Sequence, residues 1–310
     1  MGLFVFLPLI LPLTAHPIAR LAEQHLHPRT GTRLLAGLSL VLAVCSTLCL
    51  ALLVVAGTAR LPGNPLPDAW AAPEVRAVVP YDEVTGSAAL IALLAALTAC
   101  ALALVREARL RLRTRRALAG LPGTHPAVLP DPEPYAYALP GRPGRIVVSR
   151  AMLESLDADE RHALLAHEQA HLDGRHHRLL LAVRLAACLN PLLRPLRSAV
   201  GYGAERWADE DAAMAVGDRR LTARAVGRAA LSSRSGPAFG LAFAEPAPGP
   251  VPRRVAALLG PAPSPRRLPP AMTRPGLAFL MATTGAAASA ASSVNAALTL
   301  LLVLKAATPL

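Results

Sequence analysis

The run Asp157-Ala158-Asp159-Glu160-Arg161-His162-Ala163-Leu164-Leu165-Ala166-His167-Glu168-Gln169-Ala170-His171 sets the reading of the whole chain. Ala163, Leu164, Leu165, Ala166 and Ala170 are helix formers that supply an apolar face, so the run predicts one helix. Asp157 followed by Glu160 makes a capping-box-like start. Within it sits His167-Glu168-x-x-His171. Positions i and i+4 share a helix face, so both imidazoles can reach one metal ion. Glu168 stands beside the first His and can lean over an open coordination position, which suits Zn2+ with a catalytic water. With 9 His in the chain, a shuffled sequence would hold only about 0.01 copies of this pattern. His162, His176 and His177 make the region His-rich, which weakens the argument a little.

A catalytic zinc wants a third protein ligand. No His follows His177, so a third His from further downstream is excluded. The segment Ala204-Glu205-Arg206-Trp207-Ala208-Asp209-Glu210-Asp211 offers a carboxylate instead. Glu205 and Asp209 are four apart and share a helical face. Glu205 is the expected third ligand, and Asp209 the carboxylate that holds a ligand imidazole.

Around this motif the chain is strongly apolar. Hydrophobic residues make up 53% and charged residues 17% of 310, and mean hydropathy is +0.41. That excludes a disordered or collagen-like chain, and its clustering points to a membrane protein. Charge-free runs over about 2–19, 34–59, 86–105 and 276–304 predict four spans. The first holds Pro8, Pro12 and Pro17, tolerated in membrane helices. It makes a poor signal peptide because no Lys or Arg precedes it. Gly285 and Ser289 form a small-xxx-small pair suited to close packing of the last span. Arg106, Arg109, Arg111, Arg113, Arg115 and Arg116 crowd the end of the third span. The positive-inside rule therefore puts residues 106–275 in the cytoplasm and the loop from Arg60 to Thr85 outside, with the 305–310 tail.

Residues 106–275 hold 26 of the 32 basic residues and 15 of the 20 acidic ones, a net charge of +11. No direct nucleic-acid binding is expected, because there is no reader motif and aromatics for stacking are few. Anionic lipid headgroups account for the Arg-rich face. The four cysteines have no metal or disulfide spacing and read as small hydrophobes.

The segment from Tyr135 to Ser149, the HExxH helix and Glu205-x-x-x-Asp209, in that order, resemble the integral-membrane gluzincins. These include CAAX prenyl proteases and HtpX-like peptidases. With a zinc domain between the third and fourth spans, the chain looks most like the BlaR/MecR-type antirepressor metallopeptidases. The resemblance implies a mainly α fold: four transmembrane helices and a cytoplasmic helical gluzincin-type domain carrying a small β-hairpin. It implies His167, His171 and Glu205 as zinc ligands, Glu168 as the catalytic base and Asp209 as the supporting carboxylate. It also implies a protein substrate, a BlaI/MecI-type transcriptional repressor, at the bacterial plasma membrane. Only six residues follow Leu304, so the extracellular penicillin-binding sensor domain of antibiotic-sensing members is expected to be missing. A membrane-protein quality-control protease and a catalytically inactive signalling scaffold are the alternatives.

Three further segments carry expectations. Ala136–Leu139 and Arg145–Ser149, joined by Pro-Gly-Arg-Pro-Gly, read as a hairpin. It serves either as an ordinary structural element or as an edge strand that adds a substrate peptide. Leu179 to Arg194 reads as a core helix of the zinc domain or as a helix lying in the membrane interface. Ser235–Pro275, rich in Pro and Gly, reads as irregular cover with a short helix from Arg253 to Leu259. Tyr202 and Arg219 are oxyanion-donor candidates by sequence proximity alone.

Overall fold

The computed structural model describes residues 6–58, 83–119, 125–141, 144–233, 251–263, 270 and 272–307. In chain order these form α1 (Leu7–Ile10), a 3-10 turn (Leu11–Thr14), α2 (Ala15–His25), α3 (Pro28–Thr58) and α4 (Glu83–Leu118). Strands β1 (Ala127–Leu129), β2 (Ala136–Leu139) and β3 (Arg145–Ser149) follow, then α5 (Arg150–Glu154), α6 (Ala158–Asp173) and α7 (His176–Leu189). A 3-10 turn (Pro191–Leu193) leads to α8 (Arg194–Val216), α9 (Arg219–Ser232), α10 (Val251–Leu259) and α11 (Arg274–Ala307).

Three helices among the described residues are long and apolar enough to cross a membrane: Pro28–Thr58, Val84–Arg116 and Phe279–Ala306. The sequence suggested four. Residues 2–5 of the expected first span lie outside the described residues, and the rest is not one helix of spanning length. Pro8 and Pro12 each fall in the first turn of a four-residue piece. A proline has no N–H to continue the ladder, so the run breaks into short helix, 3-10 turn and the amphipathic α2. Ala15, Ala19 and Ala22 of α2 then join a protein core. The expected external loop lies outside the described residues from 59 to 82.

The long helices are packed as a bilayer dictates. Leu40, Val44, Ile91, Leu94 and Leu301 face outward, while Ser39, Ser46, Ser289 and Ser293 are buried. Small side chains let the backbones approach. A Cβ built on Gly86 would lie 2.5 Å from the Cα of Gly57, so α3 and α4 touch backbone to backbone there. Ser293 sits against Cys49, Oγ to Sγ 3.6 Å, which brings α11 onto α3.

The long apolar helix α3 and the helices that follow the HExxH motif share one core. Leu35, Ala36, Leu42 and Ala43 of α3 pack with Val183 and Ala186 of α7 and with Leu196, Ala199 and Val200 of α8. Cys100 of α4 donates to the carbonyl of Leu185, at 3.5 Å. Of the two readings of the 179–194 segment, this packing bears out the core helix. It is a core helix, and the walls it packs against include spanning helices.

The hairpin is present, with β2 and β3 antiparallel from Ala136↔Val148 to Leu139↔Arg145. It belongs to a larger sheet than expected. β1 adds to β3 in parallel, giving a mixed three-stranded sheet in the order β1-β3-β2. β2 is thereby left as an edge. Ser149 ends the sheet and caps α5, accepting from the backbone N–H of Met152.

Candidate metal centre

α6 begins as its sequence demands. Asp157 accepts from the N–H of Glu160, and the Glu160 side chain accepts from the N–H of Asp157. That reciprocal cap fixes where the helix starts and so which face meets α8. His167, Glu168, Ala163, Leu164 and Ala170 lie on the buried side. α8 presents Glu205 and Asp209 to it.

The three expected ligands converge. His167 Nε2 and His171 Nε2 are 3.1 Å apart. Glu205 Oε2 lies 3.6 Å from His167 Nε2, and Glu205 Oε1 lies 3.4 Å from His171 Nε2. A tetrahedral zinc with ligands at about 2.0–2.1 Å has ligand-to-ligand edges of roughly 3.3–3.4 Å. The observed spacings lie near that value, with a different Glu205 oxygen facing each imidazole, and this donor set leaves a fourth position for water or substrate. The residues fit zinc.

Both imidazoles are held at their far nitrogens, by different means. His167 Nδ1 faces Asp209 Oδ1 at 3.1 Å, a close charge contact rather than an aligned hydrogen bond. Asp209 is fully buried. Arg254 of α10 donates to it through Nε at 2.8 Å and Nη2 at 2.6 Å. The third guanidinium nitrogen reaches Glu205 Oε2 at 2.8 Å. On the other side, His176 Nδ1 lies 2.8 Å from His171 Nδ1. His176 is buried, and its ring rests on Trp207, centroids 4.4 Å apart. Arg29 and Arg33, from the first turns of α3, lie 5.2 and 4.8 Å from the centroid of the Trp207 ring. The base of a spanning helix is thus one side chain away from the pair of histidines.

These surroundings set the charges. Burial pushes His167 down, but Asp209 and Glu205 outweigh it and raise its pKa to about 10. His171 is lowered to about 4, mainly by burial, with the charges of His167 and Arg254 adding. His176 falls to about 3, again mainly by burial. Burial also opposes ionisation of Glu205 and Asp209, yet Arg254 holds both below the usual carboxylate range. Glu168 is raised, because burial is its largest influence, although the Ala138 backbone N–H donates to it. A cavity of about 180 Å³ opens beside Glu168 and Glu205, walled by Ala136, Met152, Leu164 and Val226.

The structure therefore brings together His167, Glu168, His171, Glu205 and Asp209. It does not bring Arg219 or Tyr202 to the metal position. Arg219 pairs with Glu210 and donates to the carbonyls of Ala257 and Leu258, closing the end of α10. Tyr202 lies under Arg253, 4.5 Å from ring centroid to guanidinium. Sequence reasoning missed Arg254 and His176. Arg254 was one Arg among 31. Its only mark was a position within the short helix expected from Arg253. His176 looked like part of a His-rich stretch.

Residues 103–189 match the family model of Peptidase family M48. The matched segment contains the HExxH helix, the sheet and α7, and it ends before Glu205. No curated protein and no solved structure matches the chain. Over the matched segment, less than a third of the chain, the protein is similar to the M48 peptidases, and the His-His-Glu cluster is consistent with a gluzincin-type zinc centre.

Proposed function

We propose that the chain is a multi-pass membrane zinc endopeptidase that hydrolyses peptide bonds at the cytoplasmic face of the bacterial plasma membrane. The convergence of His167, His171 and Glu205 beside Glu168 carries this reading. When bound, zinc supplies a Lewis acid and lowers the pKa of its water to about 7. His167, His171 and Glu205 hold it. Asp209 and His176 fix the two imidazole orientations, and Arg254 balances the charge of Glu205 and Asp209. Glu168, whose pKa burial raises, takes a proton from the attacking water and delivers it to the leaving amine. The edge of β2 lies against Glu168 through Ala138, so an extended substrate pairs there as an added strand.

The Arg-rich end of α4 supports the cytoplasmic placement. Cysteine labelling at Pro73 and at Gly236 should report opposite sides of the membrane; the same side would reverse the orientation. The resemblance to BlaR/MecR-type proteins supports a transcriptional repressor as substrate. An adjacent gene for a winged-helix repressor, whose product is cut by the wild type and not by Glu168→Gln, is the expected finding. For the chemistry itself, Glu168→Gln should retain zinc and lose proteolysis. Full activity in that variant would end the mechanism.

A further inference from the structure

A wide cleft of about 1,510 Å³ lies on the other side of the HExxH helix from the small cavity. Its walls are the last turn of α6, the start of α7, the end of α4 and the end of the β2 edge at Leu139, Pro140 and Gly141. Five arginines line it: Arg111, Arg115, Arg145, Arg175 and Arg178. Arg111 is paired with Glu107 at 2.6 Å. No carboxylate lies within ion-pair distance of the other four among the described residues. The one acid in the lining, Asp173, accepts from Gln169 Nε2 at 2.8 Å. His177 adds no charge. Burial, then Arg111, Arg178 and Arg175, depress its pKa to about 4. Arg175 takes a left-handed backbone, φ 50°, in the turn between α6 and α7. That conformation favours Gly or Asn, yet an arginine stands there.

Geometry ties the cleft to the reaction. β2 is an edge strand whose Ala138 meets Glu168, and its next residues, Leu139 to Gly141, enter the cleft. At its other end Ala136 borders the small cavity that holds Glu168 and Glu205. A peptide paired along β2 therefore has the metal-site cavity at one end and four uncompensated cations at the other. We propose that this cleft is a substrate subsite that takes acidic residues on one flank of the scissile bond, so that the enzyme selects peptides carrying Asp or Glu there. This rests on the protease reading above. Anionic lipid headgroups share the same charge. The peptide is favoured because the catalytic helix and the substrate edge form the walls.

The test uses the full-length, zinc-loaded protein in neutral detergent micelles. Quenched peptides with Asp-Asp or Asn-Asn on either flank of a common core are compared by kcat/KM. The acidic peptide should be preferred about tenfold, on one flank only, with the preference shrinking at high salt. Arg115→Glu with Arg178→Glu should invert the ratio toward a Lys-Lys peptide. Because the readout is a ratio within one protein, partial loss of folded enzyme does not alter it. Equal cleavage of acidic and neutral peptides, or an equal preference on both flanks, would overturn the subsite while leaving the protease intact. So would a charge-reversed variant that keeps the acidic preference and loses only its binding to phosphatidylserine vesicles. If no peptide is cut, the protease reading has failed. Anisotropy of the labelled acidic and neutral peptides on the wild type and on the charge-reversed variant then decides the cleft alone: tighter acidic binding lost on reversal supports it, and equal binding rejects it.

Discussion

The two histidines of the motif sit four residues apart on one helix and are held in opposite ways. His167 leans on charge: a buried carboxylate, itself gripped by a buried arginine from a distant helix. His171 leans on a neutral ring, packed on Trp207 and through it on the base of α3. Asp209 and Glu205 raise the pKa of His167, whereas burial lowers that of His171. The contrast teaches that metal-site geometry can be supported either by a salt-bridge cluster or by aromatic packing, and that the two supports fail differently.

The charged side should fail hardest. Asp209→Ala removes two of the three carboxylate contacts of the buried Arg254 and leaves it only Glu205, an expected loss of about 3 kcal/mol in stability. Zinc affinity should fall about 10- to 100-fold as His167 loses its support. Thermal unfolding and chelator competition measure the two effects. Adding Arg254→Met should recover stability and leave zinc affinity low. Recovery of both would mean that Asp209 does nothing for the metal.

The neutral side should lose metal without losing the fold. His176→Phe keeps a ring against Trp207 and removes Nδ1. Zinc affinity is expected to drop about tenfold with little change in melting temperature. An unchanged zinc affinity would reduce His176 to packing.

The pH response of the metal-free chain should separate the two sides. His171 and His176 titrate lower in the fold than at their ordinary 6.5. Below that value the unfolded chain binds more protons, so stability falls as pH drops from about 6.5 toward 4. His167 titrates higher, near 10. Its contribution is complete below about 6.5 and is lost as pH rises toward 10. Maximum stability of the metal-free protein should thus lie near pH 6.5. Zinc binding at pH 7 to 8 should release about one proton, from His167. Calorimetry in buffers of different ionisation enthalpy reads that proton directly.

The smallest effect is expected at the junction with the membrane helix. Arg33→Gln removes one cation over Trp207, worth about 0.5–1 kcal/mol. Zinc affinity should change less than threefold, measured by the same chelator competition. A larger change would show that α3 controls the site more tightly than its contact suggests.

Local pattern made some of this legible in the sequence. The HExxH helix and its capping box depend on residues within four positions of each other, and so does the Glu205–Asp209 pair. The β2–β3 pairing was readable from two short runs around a Pro-Gly turn. β1 was not, because three residues are too few to show alternation, and its partner β3 is made parallel by a long connection. Arg254 was hidden by distance: it acts across 45 residues on a chain where arginine is everywhere. Hydropathy counts composition, while Pro8 and Pro12 decide whether a single helix can form, so the described part of the first apolar run is broken into short pieces. The family match, too, stops at residue 189, before the third ligand.

X-ray absorption on the zinc-loaded full-length protein tests the central claim most directly. The account predicts about one zinc per chain, bound by two imidazole nitrogens at about 2.0–2.1 Å with oxygen completing the shell. One imidazole should disappear in His171→Ala. Zinc bound through sulfur, zinc bound with no imidazole, or a protein that binds no zinc would contradict it.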